Sequence, residues 1–198
     1  MKTEIPSEAI LRNLLLGCGI PIETWGIGKA KPVSELLDEI NERECHLRID
    51  HNGLTRVVEI VKMHIRDREH LERGLLLMLR QVLPGDIVRE RTEKNNRPSE
   101  KIKSGEAVEA ALARGLLEEL ELSGSDWKMM DSKVDEESNL SPTLPGLPTV
   151  YLINHCNVLL NPGCHALRDE FTIETGNPKE GILHFAWEHP RQRKDFFA

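Results

Sequence analysis

The feature that most constrains the fold is one amphipathic helix, near residues 106 to 121, set between runs that read as strands. On a wheel of about 100° per residue, Leu112, Ala113, Leu116, Leu117 and Leu120 cover one broad arc, expected to face the core. Glu118 and Glu119 sit on the opposite side, with position 115 between them. Arg114 lies one turn before Glu118 and can pair with it at i, i+4. Ahead of this helix, residues 55–65, 75–82 and 87–91 read as strands, the last two joined at Pro84-Gly85-Asp86. After it, strands are expected at 149–153, 158–160, 171–174 and 182–187. Strands on both sides of one central helix predict a mixed α+β or α/β sandwich.

The first 50 residues read as a helical extension. Leu14-Leu15-Leu16 stops at Gly17-Cys18-Gly19. A second helix is expected over 33–43, where Val33, Leu36, Leu37 and Ile40 share one face and Pro32 suits the start. The texture changes at His51, which gives an expected division into an extension, 1–50, and a main domain, 51–198. Residues 123–148 are polar and rich in Ser, Pro and acids, and read as a long loop or lid. The tail at 191–198 is basic, then aromatic.

Charge and composition narrow the function. A net charge of -7 argues against broad nucleic-acid binding, while leaving room for a local basic groove that takes a small phosphorylated ligand. The aliphatic run from Leu75 to Leu79 is far too short to cross a membrane. No basic region followed by an apolar stretch opens the chain, so a cytoplasmic protein is expected. Cys18, Cys45, Cys156 and Cys164 form no CxxC pair and read as reduced thiols, mostly buried. His155-Cys156 and Cys164-His165 carry zinc-ligand types, but the spacing within each half departs from that of structural zinc sites, and an incidental pairing is the reading preferred. The string Gly26-Ile27-Gly28-Lys29 lacks the earlier Gly and the following Ser or Thr of a phosphate-binding P-loop.

Residues 99–122 resemble the Nudix box, GX5EX7REUXEEXGU, where U is a bulky aliphatic residue. Glu106, Arg114, Leu116, Glu118, Glu119 and Leu122 match, and Gly105 with Lys101-Ile102 looks like the lead-in usual in that family. Glu100 and Glu121 stand where the box has Gly, and Gly115 stands where it has Glu. The resemblance implies a Nudix-like α/β/α sandwich with a mixed sheet, and Mg²⁺- or Mn²⁺-dependent hydrolysis of a nucleoside diphosphate linked to another group. By position, Glu118 and Glu119 are the implied metal ligands, with Glu106 and Arg114 holding and orienting them. These four are the expected catalytic residues.

Gly115 opens two readings, since glycine supplies neither a ligand nor a base and costs about 1 kcal/mol inside a helix. Chemistry can persist with a base from elsewhere, for which Asp135, Glu136, Glu137, Glu170 and Glu174 are candidates. Alternatively, the chain is a noncatalytic Nudix-fold ligand-binding or regulatory module. Isomerase chemistry on a prenyl diphosphate is a weaker third reading. Arg89, Arg91 and Lys101 are candidate substrate contacts, because residues 89 and 91 would share one strand face and could clamp a diphosphate. Trp25, Trp127, Tyr151 and Trp187 could stack on a planar group but read more readily as core. The expected partner is a small phosphorylated substrate or ligand, and the apolar face at 33–40 would serve either a homodimer or a cover over the active site.

Overall fold

The computed structural model describes residues 5–92, 96–141, 143–176 and 181–188. The basic and aromatic tail at 191–198 lies outside them. The chain is a mixed α+β protein. Its helices are α1 (Glu8–Gly17), α2 (Val33–Asn41) and α3 (Val108–Leu120). Its strands are β1 (His46–Asp50), β2 (Gly53–Asp67), β3 (Leu76–Leu83), β4 (Ile87–Glu90), β5 (Ser99–Lys101), β6 (Trp127–Leu140), β7 (Pro148–Leu160), β8 (Glu170–Glu174) and β9 (Ile182–Trp187). One sheet runs β1-β2-β7-β6, with β5 also paired to β2, and the other runs β4-β3-β9-β8. Among the described residues, no helix is long and apolar enough to cross a membrane.

The chain forms two compact units, each discontinuous in sequence. One comprises residues 1–60, 101–107 and 134–153. Within it, Ser7 caps α1 by accepting the Ile10 amide at 3.4 Å. Leu11 and Leu15, one turn apart, are fully buried, as are Val33 and Leu36 of α2. They meet Val58 of β2 and Leu147 in one apolar cluster. Trp25 joins that cluster, its indole N–H donating to the Pro145 carbonyl at 2.9 Å. The strand β1 falls before the change of texture at His51 and pairs antiparallel with β2 after it, with Asp50 opposite Gly53.

The other unit comprises residues 61–100, 108–133 and 154–198. Its four-stranded sheet is antiparallel throughout. The β3–β4 hairpin turns at Pro84-Gly85-Asp86, where Gly85 and Asp86 both take positive φ, 79° and 59°. Glycine adopts that region freely and Asp tolerates it. Leu112, Leu116 and Leu120 of α3 are fully buried, as are Met63 and Ile65 of β2 and Leu76 of β3. Trp187 is buried too, and its N–H donates to the Ala166 carbonyl at 3.2 Å and the Arg168 carbonyl at 3.1 Å.

Three expectations change. The polar stretch at 123–148 is not a loop throughout: most of it is the 14-residue strand β6. That strand ends the sheet order and is exposed along nearly all its length, so it needs no apolar face. A charged, solvated edge strand carries no burial signal and reads as a loop. The strands expected at 149–153 and 158–160 are one strand, β7, which continues through the polar Asn154-His155-Cys156-Asn157, with Asn154 and Cys156 buried. Finally, the buried stripe of α3 is rotated from its expected position. Ala111, Gly115 and Glu119 are buried, while Leu117 is 57% exposed. With no side chain at Gly115, Met63 and Glu100 approach that side of the helix closely.

Candidate functional site

The matched positions on α3 form one group with β5. Arg114, one turn before Glu118, places its Nη1 2.8 Å from Glu100 Oε1 and 3.7 Å from Glu118 Oε2. A single guanidinium nitrogen is therefore shared by a strand carboxylate and a helix carboxylate. Glu118 faces out, its side chain 54% exposed. Glu119, about 100° further round the helix, is buried, at 8%. The two adjacent carboxylates thus differ: one reaches solvent, and the other is held in the wall behind it.

Gly115 has a structural cause. A Cβ built on it would lie 2.5 Å from Met63 Cε and 2.7 Å from Glu100 Cβ, too close for any side chain without movement. The position where the box has Glu is thus filled by chain from β2 and β5.

Glu106 belongs to the turn ahead of α3. Its carboxylate accepts the Lys103 amide at 2.8 Å, and its own amide donates back to the Lys103 carbonyl at 2.8 Å. The Glu106 carboxylate thus closes this turn.

The three expected substrate contacts sit in different settings. Arg89 is exposed on β4. Arg91 follows β4 and donates to the buried Gln81 side chain at 3.1 Å. Lys101 is a counter-ion: its Nζ lies 3.2 Å from Glu39 Oε1 and also bonds Glu44. Glu39 further receives Lys31 at 2.9 Å and the buried Arg56. Burial alone would raise the Glu39 carboxyl, but Arg56, Lys101 and Lys31 outweigh it and hold the pKa at about 2.

The candidate bases lie on strands rather than loops. Asp135, Glu136 and Glu137 are on β6, and Glu170 and Glu174 are on β8. All are exposed except Asp135, which is half-buried.

The Cys/His pairs do not gather as zinc ligands. His155 Nδ1 lies 2.9 Å from His64 Nε2, with the rings tilted by 36°. Burial, with Arg97, His155, Lys62 and Arg66, pushes His64 down to about 4, so it is neutral at pH 7. Next along the strand, Cys156 is buried, and burial, then Glu109 and Asp131, pushes its thiol up to about 11. It stays a thiol near neutrality.

The donors at α3 suit a hard divalent cation by their chemistry. Mg²⁺ takes oxygen ligands, commonly one or two carboxylates, and completes its shell with water and substrate phosphates. Among the described residues, no three His, Cys, Asp or Glu side chains are already drawn around one point.

The pairing of Glu100 with Arg114 is what sequence reasoning missed. Its signal was present as a reciprocal departure, Glu where the box has Gly and Gly where it has Glu, but only the fold brings positions 100 and 115 together.

No family profile matches the chain, and no curated protein does. Among solved structures, an Ap4A hydrolase from C. elegans in a binary complex shares 12% identity over 65% of this chain and 79% of its own, with a TM-score of 0.39. A Nudix hydrolase from Nitrosomonas europaea shares 17% identity over 69% and 75%, with a TM-score of 0.38. A further C. elegans Ap4A hydrolase structure shares 18% over 55% and 72%, at 0.32. With scores and identities this low, the activity of the present chain has to be argued from its own residues.

Proposed function

We propose that this chain is a Nudix-type hydrolase that splits the phosphoanhydride of a nucleoside diphosphate joined to another group, with Mg²⁺ or Mn²⁺. The observation that carries this reading is the α3 group itself. Arg114, Glu118 and Glu119 match the box in sequence, and Arg114 is ion-paired beside Glu118 on the helix. When bound, the cation supplies neutralisation of charge on the diphosphate and a lower pKa for the attacking water.

The chain's own residues do the rest. Glu118, exposed, and Glu119, buried, offer carboxylate oxygens as ligands. Arg114 restrains Glu118 through its guanidinium, so the ligand does not have to be ordered when substrate arrives. The reading as a noncatalytic module drew on Gly115 and on the two missing box glycines; close packing against Met63 and Glu100 gives Gly115 a structural reason, and the ligand and base it lacks have to come from elsewhere. The substrate proposed is small and phosphorylated, and the main contribution of the protein is to hold its diphosphate against the cation.

The test is turnover of nucleoside diphosphate sugars, dinucleotides, nucleoside triphosphates and prenyl diphosphates with Mg²⁺ and with Mn²⁺. Glu119→Gln runs alongside. Metal-dependent product should fall by at least about 100-fold in the variant, the scale for loss of an electrostatic catalytic group. An unchanged rate in Glu119→Gln would remove α3 from the reaction. No product from the wild-type protein across the panel would overturn the hydrolase reading.

A further inference from the structure

The edge strands β1, β4 and β8 are short, at 5, 4 and 5 residues. The edge strand β6 is not: it runs for 14 residues without a Pro or a Gly. It ends its sheet in the order β1-β2-β7-β6, so among the described residues one of its sides has no strand beside it. An open edge presents a row of N–H and C=O groups to any strand that fits, and proteins ordinarily keep such edges short or break them with Pro. A long, unbroken edge is a template for one further strand.

The residues of β6 specify which strand fits. In an antiparallel pair, opposite residues share a face, and a slip of one residue breaks that match. Two copies of β6 related by a two-fold at Ser132 place Asp131 opposite Lys133 of the second copy, and Lys128 opposite Glu136 of the second copy. Symmetry repeats each pair. Met130 and Val134, 51% and 58% exposed in the single chain, face each other in the same register. No like charges meet between residues 127 and 137. The adjacent registers are worse. A two-fold at Asp131 sets that carboxylate against itself, and one at Lys133 sets that ammonium against itself and Asp131 against Asp135. Opposite charges and apolar pairs across strands stabilise a sheet, while like charges directly opposite destabilise it. The charges on β6 thus select one register of pairing with itself. Asp131 accepts from Asn157 through Oδ1 at 2.6 Å, and the pairing calls on its other oxygen.

We propose that β6 is a self-pairing edge, through which two copies of this chain join as an antiparallel dimer about a two-fold at Ser132. The contact is isologous and uses up both open edges, so it closes at two copies instead of growing into a filament. It is independent of α3 and of the hydrolase reading.

The experiment is sedimentation equilibrium of the full chain at loadings from about 1 to about 100 μM, a range in which a small interface populates a dimer. Circular dichroism on the same samples reports folding. Wild type should show a monomer–dimer equilibrium. Lys133→Glu sets like charges at both Asp131 contacts, and Asp131→Lys does so at both Lys133 contacts. Each should weaken self-association by about tenfold or more. Mixed in equal amounts, the two variants should associate to within a few-fold of wild type, because each carries the charge that the other lacks. A wild type that stays monomeric at the highest loading would overturn the proposal. So would folded variants that dimerise as wild type does, or a mixture of folded variants that associates no better than either alone. Should Asp131→Lys fail to fold for want of its Asn157 contact, Lys128→Glu and Glu136→Lys make the same exchange at the outer pair, with the same outcomes read in the same way.

Discussion

Two groups of charged side chains in this molecule use the same residue types to opposite ends. At Glu39, three cations, Lys31, Arg56 and Lys101, close on one carboxylate, with Glu44 beside Lys101. At Arg114, one guanidinium nitrogen is shared by two carboxylates, Glu100 and Glu118, with buried Glu119 next in sequence. Counting these groups, the first has more positive than negative charge around a buried acid, and the second has the reverse. A buried acid surrounded by cations has its charge answered from within the fold, and its role is to hold elements together. A run of carboxylates beside one guanidinium is the arrangement that the proposed cation site would use. The distinction lies in the partners, since nothing about a lone Glu announces which it is.

The comparison breaks most severely at Glu39. Glu39→Gln leaves Arg56, whose side chain is 6% exposed, buried without its carboxylate. The expected loss is about 3–5 kcal/mol in urea unfolding, as for other buried pairs cut on one side. A loss under about 1 kcal/mol would mean that the cluster is solvated and structurally idle.

Gly115→Ala probes the other group through packing. The new Cβ meets Glu100 Cβ at 2.7 Å, and overpacking typically costs about 1–3 kcal/mol. Better helix propensity returns about 1 kcal/mol, so a net loss of about 1–2 kcal/mol is expected. In a Glu100→Gly background most of that loss should vanish, a coupling that a double-mutant cycle reads directly. Additive effects would show that Glu100 does not cross the helix at Gly115.

Acid separates the buried Glu39 from the half-buried His64 by window. Glu39 is held at about 2, below its ordinary 4.5, so its contribution is complete above pH 4.5 and is lost as pH falls towards 2. His64 is held at about 4, below its ordinary 6.5, because the folded state favours its neutral form. Its contribution is complete above pH 6.5 and is lost as pH falls towards 4. Urea midpoints should therefore decline in two overlapping stages. His64→Gln should flatten the upper stage and leave the lower one in place. The smallest effect is expected from Glu44→Gln at the rim of the Glu39 cluster, within about 1 kcal/mol.

How much of this was legible in the sequence follows from what each segment buries. The α2 and α3 helices and strands β2, β3, β8 and β9 have periodic apolar residues because each covers a core, so pattern found them; β4 is exposed throughout and was found from the Pro84-Gly85-Asp86 turn before it. β6 covers almost nothing and was read as a loop. β1 is short and mostly exposed, and it lay hidden in the helical extension. At the site, Arg114, Glu118 and Glu119 were readable because they are close in sequence on one helix. Glu100 and the counter-ions of Lys101 depend on contacts between distant segments, which spacing along one chain does not encode. Leu117 and Glu119 exchanged their expected environments: Glu119 is buried on the side of Gly115, a glycine with no hydrophobic signature of its own, where Met63 and Glu100 approach closely.

The most direct measurement is a calorimetric titration of the full chain with Mg²⁺ near pH 7, for wild type, a Glu118→Gln/Glu119→Gln double variant and Glu44→Gln. Binding should be present in wild type, lost in the double variant and unchanged in Glu44→Gln, which would place the cation at α3 and leave the Glu39 cluster out of it. Binding that survives the double variant, or that disappears with Glu44→Gln, would contradict the assignment of a cation-binding role to α3.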